Sequence, residues 1–167
     1  NHLDETRINI LRINFILSQK LYLNKNRFTI IKKNFLPEHN FITDLNLNQN
    51  LISFIEDKSF KCTNNIVYFD LSSNKLRNLT SNTFIGLFRL TDLNLSFNMI
   101  EKITGNLFKE NMELINLNLS NNLIKAIENN SFLSLNKLRR LFMDNNYPFS
   151  NLLIQNGNIF NGLKSLK

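Results

Sequence analysis

The chain repeats a pattern of 24 residues, and this repeat restricts the possible folds more than any other property of the sequence. Residues 90–100 read LTDLNLSFNMI, and residues 114–124 read LINLNLSNNLI. Frames of the same kind begin near residues 18, 42, 66, 90, 114 and 138. A self-match at a fixed period predicts structural units that stack along the chain, each in contact with its neighbours.

Apolar residues occupy the fourth and sixth places of each frame, as Leu93 and Leu95 do in the frame that begins at residue 90. This alternation predicts a short strand with one buried face. One unit has too little apolar surface to fold alone, so successive strands are expected to form a parallel sheet over a continuous core. A large side chain, usually Phe, recurs at the nineteenth place and is expected to fill the opposite, convex side.

The ninth place is asparagine in all six frames. A buried turn leaves backbone groups unpaired, and the asparagine side chain supplies both an acceptor and donors for them. We therefore predict an internal ladder of asparagines. Its members are Asn26, Asn50, Asn74, Asn98, Asn122 and Asn146.

The motif LxxLxLxxNx(L/I)xx(L/I), followed by Phe, closely resembles the leucine-rich repeat of the 24-residue type found in extracellular proteins such as Toll-like receptors and small proteoglycans. The resemblance covers residues 18–167. It implies an α/β repeat solenoid, right-handed and curved, with a concave parallel β-sheet and a mostly irregular convex side. It also implies a protein-binding ectodomain segment of a Toll-like or related receptor in innate immunity or development, with signal transduction performed by other parts.

We interpret residues 1–167 as a single leucine-rich repeat domain, since 43% hydrophobic content is enough for a core and no linker divides the chain. Residues 1–17 read as an irregular unit, and a partial repeat begins at residue 166. Repeat arrays need capping units, and none is visible, so we expect a fragment of a longer array. No apolar run approaches the length of a membrane span, so no membrane contact is expected from this segment.

Two alternatives to a cell-surface receptor remain open: a secreted immune or matrix protein and a cytosolic leucine-rich repeat scaffold. Extracellular members often carry cysteine-rich caps, whereas this chain has one cysteine, Cys62, which we expect to be buried and inert on the convex side. Because the ends look incomplete, the shortage of cysteine is explained by missing caps. We therefore favour an extracellular or cell-surface location over a cytoplasmic one.

Polar and aromatic side chains flank the buried positions of the predicted strands. Exposed aromatic residues on a rigid sheet suit contacts with a partner protein. We therefore define a candidate binding surface, called the concave face. It consists of Tyr22, Asp44, Tyr68, Asp70, Asp92, Phe97, Arg140 and Phe142.

The net charge of +7 raises the question of a nucleic-acid ligand, which would require basic residues grouped on one surface. The middle of the concave face is acidic or neutral, so a protein ligand or co-receptor is favoured and nucleic acid is not. Basic residues instead follow the ascending side of the repeats, where a solvated surface is favoured over an anion site. This basic flank consists of Arg27, Lys75, Arg77, Lys102 and Lys125.

Four sequons make the chain a candidate glycoprotein, at Asn78, Asn94, Asn118 and Asn129. A chain with this much Asn, Ser and Thr would contain about four sequons by chance, so they do not demonstrate secretion. Asn94 and Asn118 hold the fifth place, from which a glycan would obstruct the concave face. Glycans at both would move the expected partner surface to the basic flank.

Catalytic motifs are missing from the sequence. The two histidines, His2 and His39, have no metal-ligand spacing, and no phosphate loop or nucleophile elbow occurs. Asp44 and Asp92 lie two repeats apart, roughly 10 Å at the spacing of neighbouring strands. We therefore expect no enzymatic activity, no metal and no cofactor.

Self-association of the isolated segment is a further expectation, because uncapped repeats expose apolar surface. Light scattering after size-exclusion chromatography should detect dimers or aggregates. A monodisperse monomer without added caps would contradict this expectation.

Overall fold

The computed structural model describes residues 18–33, 35–146, 153–154 and 159–167. The predicted irregular unit over residues 1–17 lies outside this part. The described residues form turns and short strands without an α-helix, and thus no helix among them could span a membrane. The strands are β1 (Lys20–Tyr22), β2 (Ile30–Ile31), β3 (Asp44–Asn46), β4 (Phe54–Ile55), β5 (Tyr68–Asp70), β6 (Asp92–Asn94), β7 (Lys102–Ile103), β8 (Asn116–Asn118), β9 (Ala126–Ile127), β10 (Arg140–Phe142) and β11 (Leu153–Ile154).

One strand from each frame enters a six-stranded parallel sheet in the order β1-β3-β5-β6-β8-β10. The register pairs residues that are 24 positions apart, so Leu45 lies between Leu21 and Phe69. Two smaller parallel sheets, β2-β4 and β11-β9-β7, lie along the ascending side of the repeats. The predicted repeat solenoid with a parallel sheet is confirmed.

The core runs continuously behind the sheet. Side chains at the fourth, sixth and eleventh places form this core, and Leu45, Leu47 and Ile52 are fully buried. Leu141 and Met143, at the fourth and sixth places of the frame that begins at residue 138, are only partly buried. On the convex side the rings of Phe84, Phe108, Phe132 and Phe160 stack in series, with centroid separations of 5.8, 6.2 and 6.2 Å. Burial of apolar surface between neighbouring turns therefore stabilises the whole array.

The ninth-place asparagines join neighbouring turns through their carboxamides. Asn98 Nδ2 donates to the carbonyl oxygens of Leu71 and Leu95, both at 3.0 Å. Asn98 Oδ1 accepts the backbone N–H of Leu76 at 3.0 Å. The same three bonds are made by Asn50, Asn74, Asn122 and Asn146. Asn26 donates to Leu23 and Asn24 within its own turn.

The residue before each ladder asparagine adopts a left-handed backbone conformation. Its φ lies between 53° and 57° in all six frames, although none of the six residues is glycine. The N–H of Phe97, for example, donates to the carbonyl of Ser120 in the next turn at 3.1 Å. Such a conformation is uncommon for a bulky residue and persists only where its surroundings hold it. The eighth place varies in sequence, and the pattern therefore did not reveal this bend.

We predict that Asn98→Leu lowers the free energy of unfolding by about 1 to 3 kcal/mol, because two buried carbonyls and one buried N–H lose their partner. Urea denaturation measures the loss. Asn64→Leu is the matched control, since Asn64 lies exposed on a turn. An unchanged stability for Asn98→Leu, or equal losses for both variants, would contradict a structural role of the ladder.

Candidate functional site

A row of third-place residues crosses the centre of the concave face. Parallel pairing sets Tyr68 directly between Asp44 on β3 and Asp92 on β6. Side chains that face each other on adjacent strands are close enough to interact. A phenol ring with a carboxylate on each side therefore occupies the middle of the sheet.

Neutral donors hold these two carboxylates in place. Thr43 Oγ1 donates to Asp44 Oδ2 at 2.7 Å, and Thr91 Oγ1 donates to Asp92 Oδ2 at 2.6 Å. Asn116 Nδ2 also donates to Asp92 Oδ1 at 2.5 Å. These hydrogen bonds orient both carboxylates without neutralising their charge.

The ends of the third-place row are basic. Lys20 Nζ lies 3.7 Å from Asp44 Oδ1 at one end. At the other end, Arg140 Nε donates a hydrogen bond of 2.6 Å to Asn116 Oδ1. Arg140 thus contacts an amide oxygen and not a carboxylate. The concave face thus has basic ends and an acidic centre.

Asp70 departs from the sequence prediction, which placed it among exposed partner-binding residues. The residue is only 5% exposed, because its carboxylate turns back onto the chain. Asp70 Oδ1 accepts the N–H of Ser72 at 2.9 Å, and Oδ2 accepts Asn48 Nδ2 at 3.1 Å. Asn94 likewise accepts the N–H of Ser96. In both cases the side chain of the fifth-place residue bonds to the backbone N–H two residues later. The sequence interpretation did not consider this bond, although an Asp or Asn followed two residues later by a small polar residue indicates it.

Partial burial raises the pKa of the Tyr68 phenol. The negative charges of Asp70 and Asp92, a hydrogen bond to Asp70 and the charge of Asp44 add to this effect. All of these disfavour the phenolate, since desolvation, nearby like charge and a bond made by the neutral phenol oppose ionisation. Three carboxylates therefore act on the phenol at the centre of the concave face, although the net charge of the chain is +7.

Exposed aromatic side chains lie across the same face. Phe97 is 58% exposed and Tyr68 is 38% exposed, and Tyr22 and Phe142 are exposed as well. A shallow cavity of about 160 Å³ lies between Tyr68 and Phe142, with Asp92, Leu93, Asn94, Asn116 and Asn118 as its other lining residues. Three members of the predicted surface, Tyr68, Asp92 and Phe142, thus meet around one depression. The other five, Tyr22, Asp44, Asp70, Phe97 and Arg140, do not line it.

The basic flank carries acidic partners that the sequence interpretation did not consider. Glu101 Oε1 accepts from Arg77 Nη1 at 2.9 Å, and Glu101 Oε2 lies 2.6 Å from Lys125 Nζ. The pKa of Glu101 is lowered chiefly by its hydrogen bond and attraction to Lys125, with Arg77 adding to the effect. One carboxylate therefore offsets part of the charge of two flank cations.

A second carboxylate faces the flank one repeat further along. Lys102 forms an ion pair with Glu128, whose pKa is lowered by the N–H of Gly105 first and by Lys102 second. Arg27 and Lys75 are exposed. The flank is therefore a row of mostly exposed ion pairs, and such pairs attract a polyanion less than unpaired cations would.

The four sequons occupy two kinds of environment. Asn78 is exposed in an irregular segment, and Asn129 is exposed on a turn. Asn94 and Asn118 are half-buried on β6 and β8, where each Oδ1 accepts the N–H of the serine two residues on. Glycosylation remains a prediction for all four.

The thiol of Cys62 contradicts the expectation of burial. Cys62 is exposed, because it lies two residues beyond buried Phe60 where the turn has returned to the surface. Its Sγ is 3.8 Å from Glu38 Oε1, beside a cleft that His39 also lines. No group of three or more His, Cys, Asp and Glu side chains in the described part of the chain is placed to hold a metal ion, and His2 lies outside that part.

We predict that Asp92→Asn lowers the pKa of Tyr68, because it removes one adjacent negative charge. The absorbance of the phenolate reports the pKa once Tyr22 and Tyr147, the other two tyrosines, are replaced by Phe. Glu113→Gln removes the same charge from a distant turn and should leave the pKa unchanged. Equal effects of the two substitutions would contradict a local field.

The raised pKa also has a consequence for stability at high pH. The folded protein holds the phenol proton more tightly than the unfolded chain does. This contribution to stability is fully present below the unfolded pKa, near 10, and is lost as the pH rises through the folded pKa.

Comparison with known proteins agrees with this architecture. The leucine rich repeat family model matches residues 19–76, 41–100 and 88–147, whereas no curated protein matches the chain. The Toll–Spatzle complex of Drosophila development and innate immunity contains a similar chain, with 29% identity and a TM-score of 0.69 over 78% of this chain and 18% of that one. The TLR13–ssRNA13 complex contains another, with 28% identity and a TM-score of 0.60 over 89% of this chain and 24% of that one.

This chain therefore spans less than a quarter of the length of either receptor. Its similarity to both lies in the repeat architecture. The three matched ranges together cover residues 19–147 without a gap. On this evidence the chain belongs to the leucine-rich repeat family.

Proposed function

We propose that the chain is a recognition segment of a Toll-like receptor, located outside the cell or at its surface, and that its concave face binds a protein partner. The observation that carries the proposal is the set of exposed aromatic side chains on a sheet whose strands are already paired and tied by the asparagine ladder. Aromatic residues on a rigid support lose little conformational entropy on binding and often dominate binding energy. Tyr22, Phe97 and Phe142 have this setting.

The charge distribution favours protein over nucleic acid. The two similar receptors were solved with different kinds of partner, Spatzle in one case and a single-stranded RNA in the other. The carboxylates of Asp44 and Asp92, which lie on either side of Tyr68, disfavour the approach of phosphate groups to the centre of the concave face. The flank cations Arg77, Lys102 and Lys125 are paired with glutamates.

Binding without catalysis is the role that these features support. A secreted leucine-rich repeat protein that lacks a signalling domain is the second candidate, and a cytosolic scaffold is the third. Antibody staining of intact cells that express the full-length protein separates the three. A receptor stains on the cell surface, a secreted protein collects in the medium, and a scaffold stains only after permeabilisation.

The partner surface can be tested by photo-crosslinking on cells. We predict that benzoylphenylalanine at Phe97 or Phe142 crosslinks to a partner, because both side chains project from the concave face. Leu133, which is exposed on the convex side, is the matched control position. The adduct should be sensitive to protease and resistant to nuclease.

Two outcomes would contradict the proposal. Crosslinking that is as strong from Leu133 as from Phe97 would exclude the concave face as the specific surface. A nuclease-sensitive adduct from Phe97 or Phe142 would identify the partner as nucleic acid.

A further inference from the structure

We infer that Asp44, Tyr68 and Asp92, called here the acidic row, form a receptor for one arginine side chain of the protein partner. This inference rests on the proposed function and specifies the chemistry of its central contact. It concerns three residues on β3, β5 and β6 that the parallel register brings side by side.

The geometry of the acidic row suits a cation. A positive charge over the face of a tyrosine ring is attracted to the π electrons, and a carboxylate beside the ring adds a charge-assisted hydrogen bond. Tyr68 has a carboxylate on both sides. Thr43 and Thr91 orient these two groups by donating one hydrogen bond to each. A carboxylate oxygen has room for more than one hydrogen bond, so a ligand donor can be added.

One of the two carboxylates of the row, Asp92, has no ion-pair partner among the described residues. Lys20 lies near Asp44, whereas Asp92 and buried Asp70 form no ion pair within the described ranges. Arg140, the nearest basic residue at the other end, donates to Asn116 instead. The pKa of Tyr68 is raised first by burial, and the charges of Asp70, Asp92 and Asp44 raise it further. A cationic group on the partner would complement the negative charge of this site.

The shape of the site favours arginine over lysine. The cavity of about 160 Å³ beside Tyr68 and Asp92 has room for one side chain. A guanidinium is planar and can stack on the Tyr68 ring while it donates in its own plane to Asp92, which an ammonium cannot do. Phe142 forms the far wall, against which the methylene stem of the side chain can pack.

The test uses two synthetic peptides that differ in one charge: acetyl-Gly-Arg-Gly-amide and the same peptide with citrulline, the neutral analogue of arginine. Backbone amide shifts of the isotope-labelled intact protein report binding. We predict that only the arginine peptide shifts the resonances of β3, β5 and β6. Asp92→Asn should weaken its binding about five- to tenfold, because a charge-assisted contact becomes neutral.

Glu113→Gln is the control for net charge, since it removes one negative charge from a turn outside the acidic row, where Glu113 pairs with Lys137. It should change the affinity by less than about twofold at physiological salt, because an exposed charge that does not touch the ligand is screened. Tyr68→Phe should retain most of the affinity and Tyr68→Leu should not, because the ring face and not the hydroxyl binds the cation. Thermal melts of each variant verify folding.

The inference is overturned if the citrulline peptide binds as tightly as the arginine peptide, or if Asp92→Asn and Glu113→Gln weaken binding equally. Either result together with position-specific crosslinking from Phe97 would leave the protein-binding function intact. Arginine-selective binding without any crosslink from the concave face would instead count against the proposed function.

Discussion

The carboxamide of the ninth-place asparagine is the interaction on which the rest of this structure depends. At each bend behind the sheet, two carbonyls and one N–H are buried where water cannot reach them, and one side chain satisfies all three, as Asn98 does. These bonds join two successive turns and keep their spacing constant along the array. The residue before each of these asparagines, such as exposed Phe97, adopts a left-handed conformation. The buried ladder therefore fixes the backbone that carries the proposed binding surface.

Constant spacing has an electrostatic consequence. Residues that are 24 positions apart in the chain become lateral neighbours, so a charge is influenced most by the residues one repeat before and after it. Glu101 lies between Arg77 and Lys125 in this way, and Tyr68 lies between Asp44 and Asp92. The same rule brings glutamates beside the cations of the flank and sets carboxylates on both sides of Tyr68 on the sheet. A net charge of +7 therefore does not describe any one surface of the protein.

Errors of the sequence interpretation were confined to positions whose exposure depends on a local bend. The fourth and sixth places are buried in the five frames from residue 18 to residue 137, because strand alternation turns them toward the core, as Leu45 and Leu47 illustrate. In the frame that begins at residue 138, Leu141 and Met143 are partly buried. Asp70 holds an outward place on its strand, but its carboxylate bonds to the N–H of Ser72 and is covered. Cys62 lies two residues after a buried Phe, yet the turn returns it to solvent. Periodicity identifies the place of a residue within its repeat. The backbone conformation of each turn determines how far its side chain is exposed to solvent.

The sequence by itself determined the period, the strand in each unit, the continuous core and the positions of the ladder asparagines. These features follow from the spacing of hydrophobic residues and from the need to pair buried backbone groups. The sequence shows both the hydrophobic spacing and the asparagines that can pair those groups. Only the tertiary structure decided which charges meet, that Glu101 and Glu128 neutralise part of the basic flank, and that Tyr68 stands between two oriented carboxylates. Hydrogen bonds and ion pairs form over a few ångströms, so they depend on side-chain conformation across neighbouring turns, which a one-dimensional pattern does not contain.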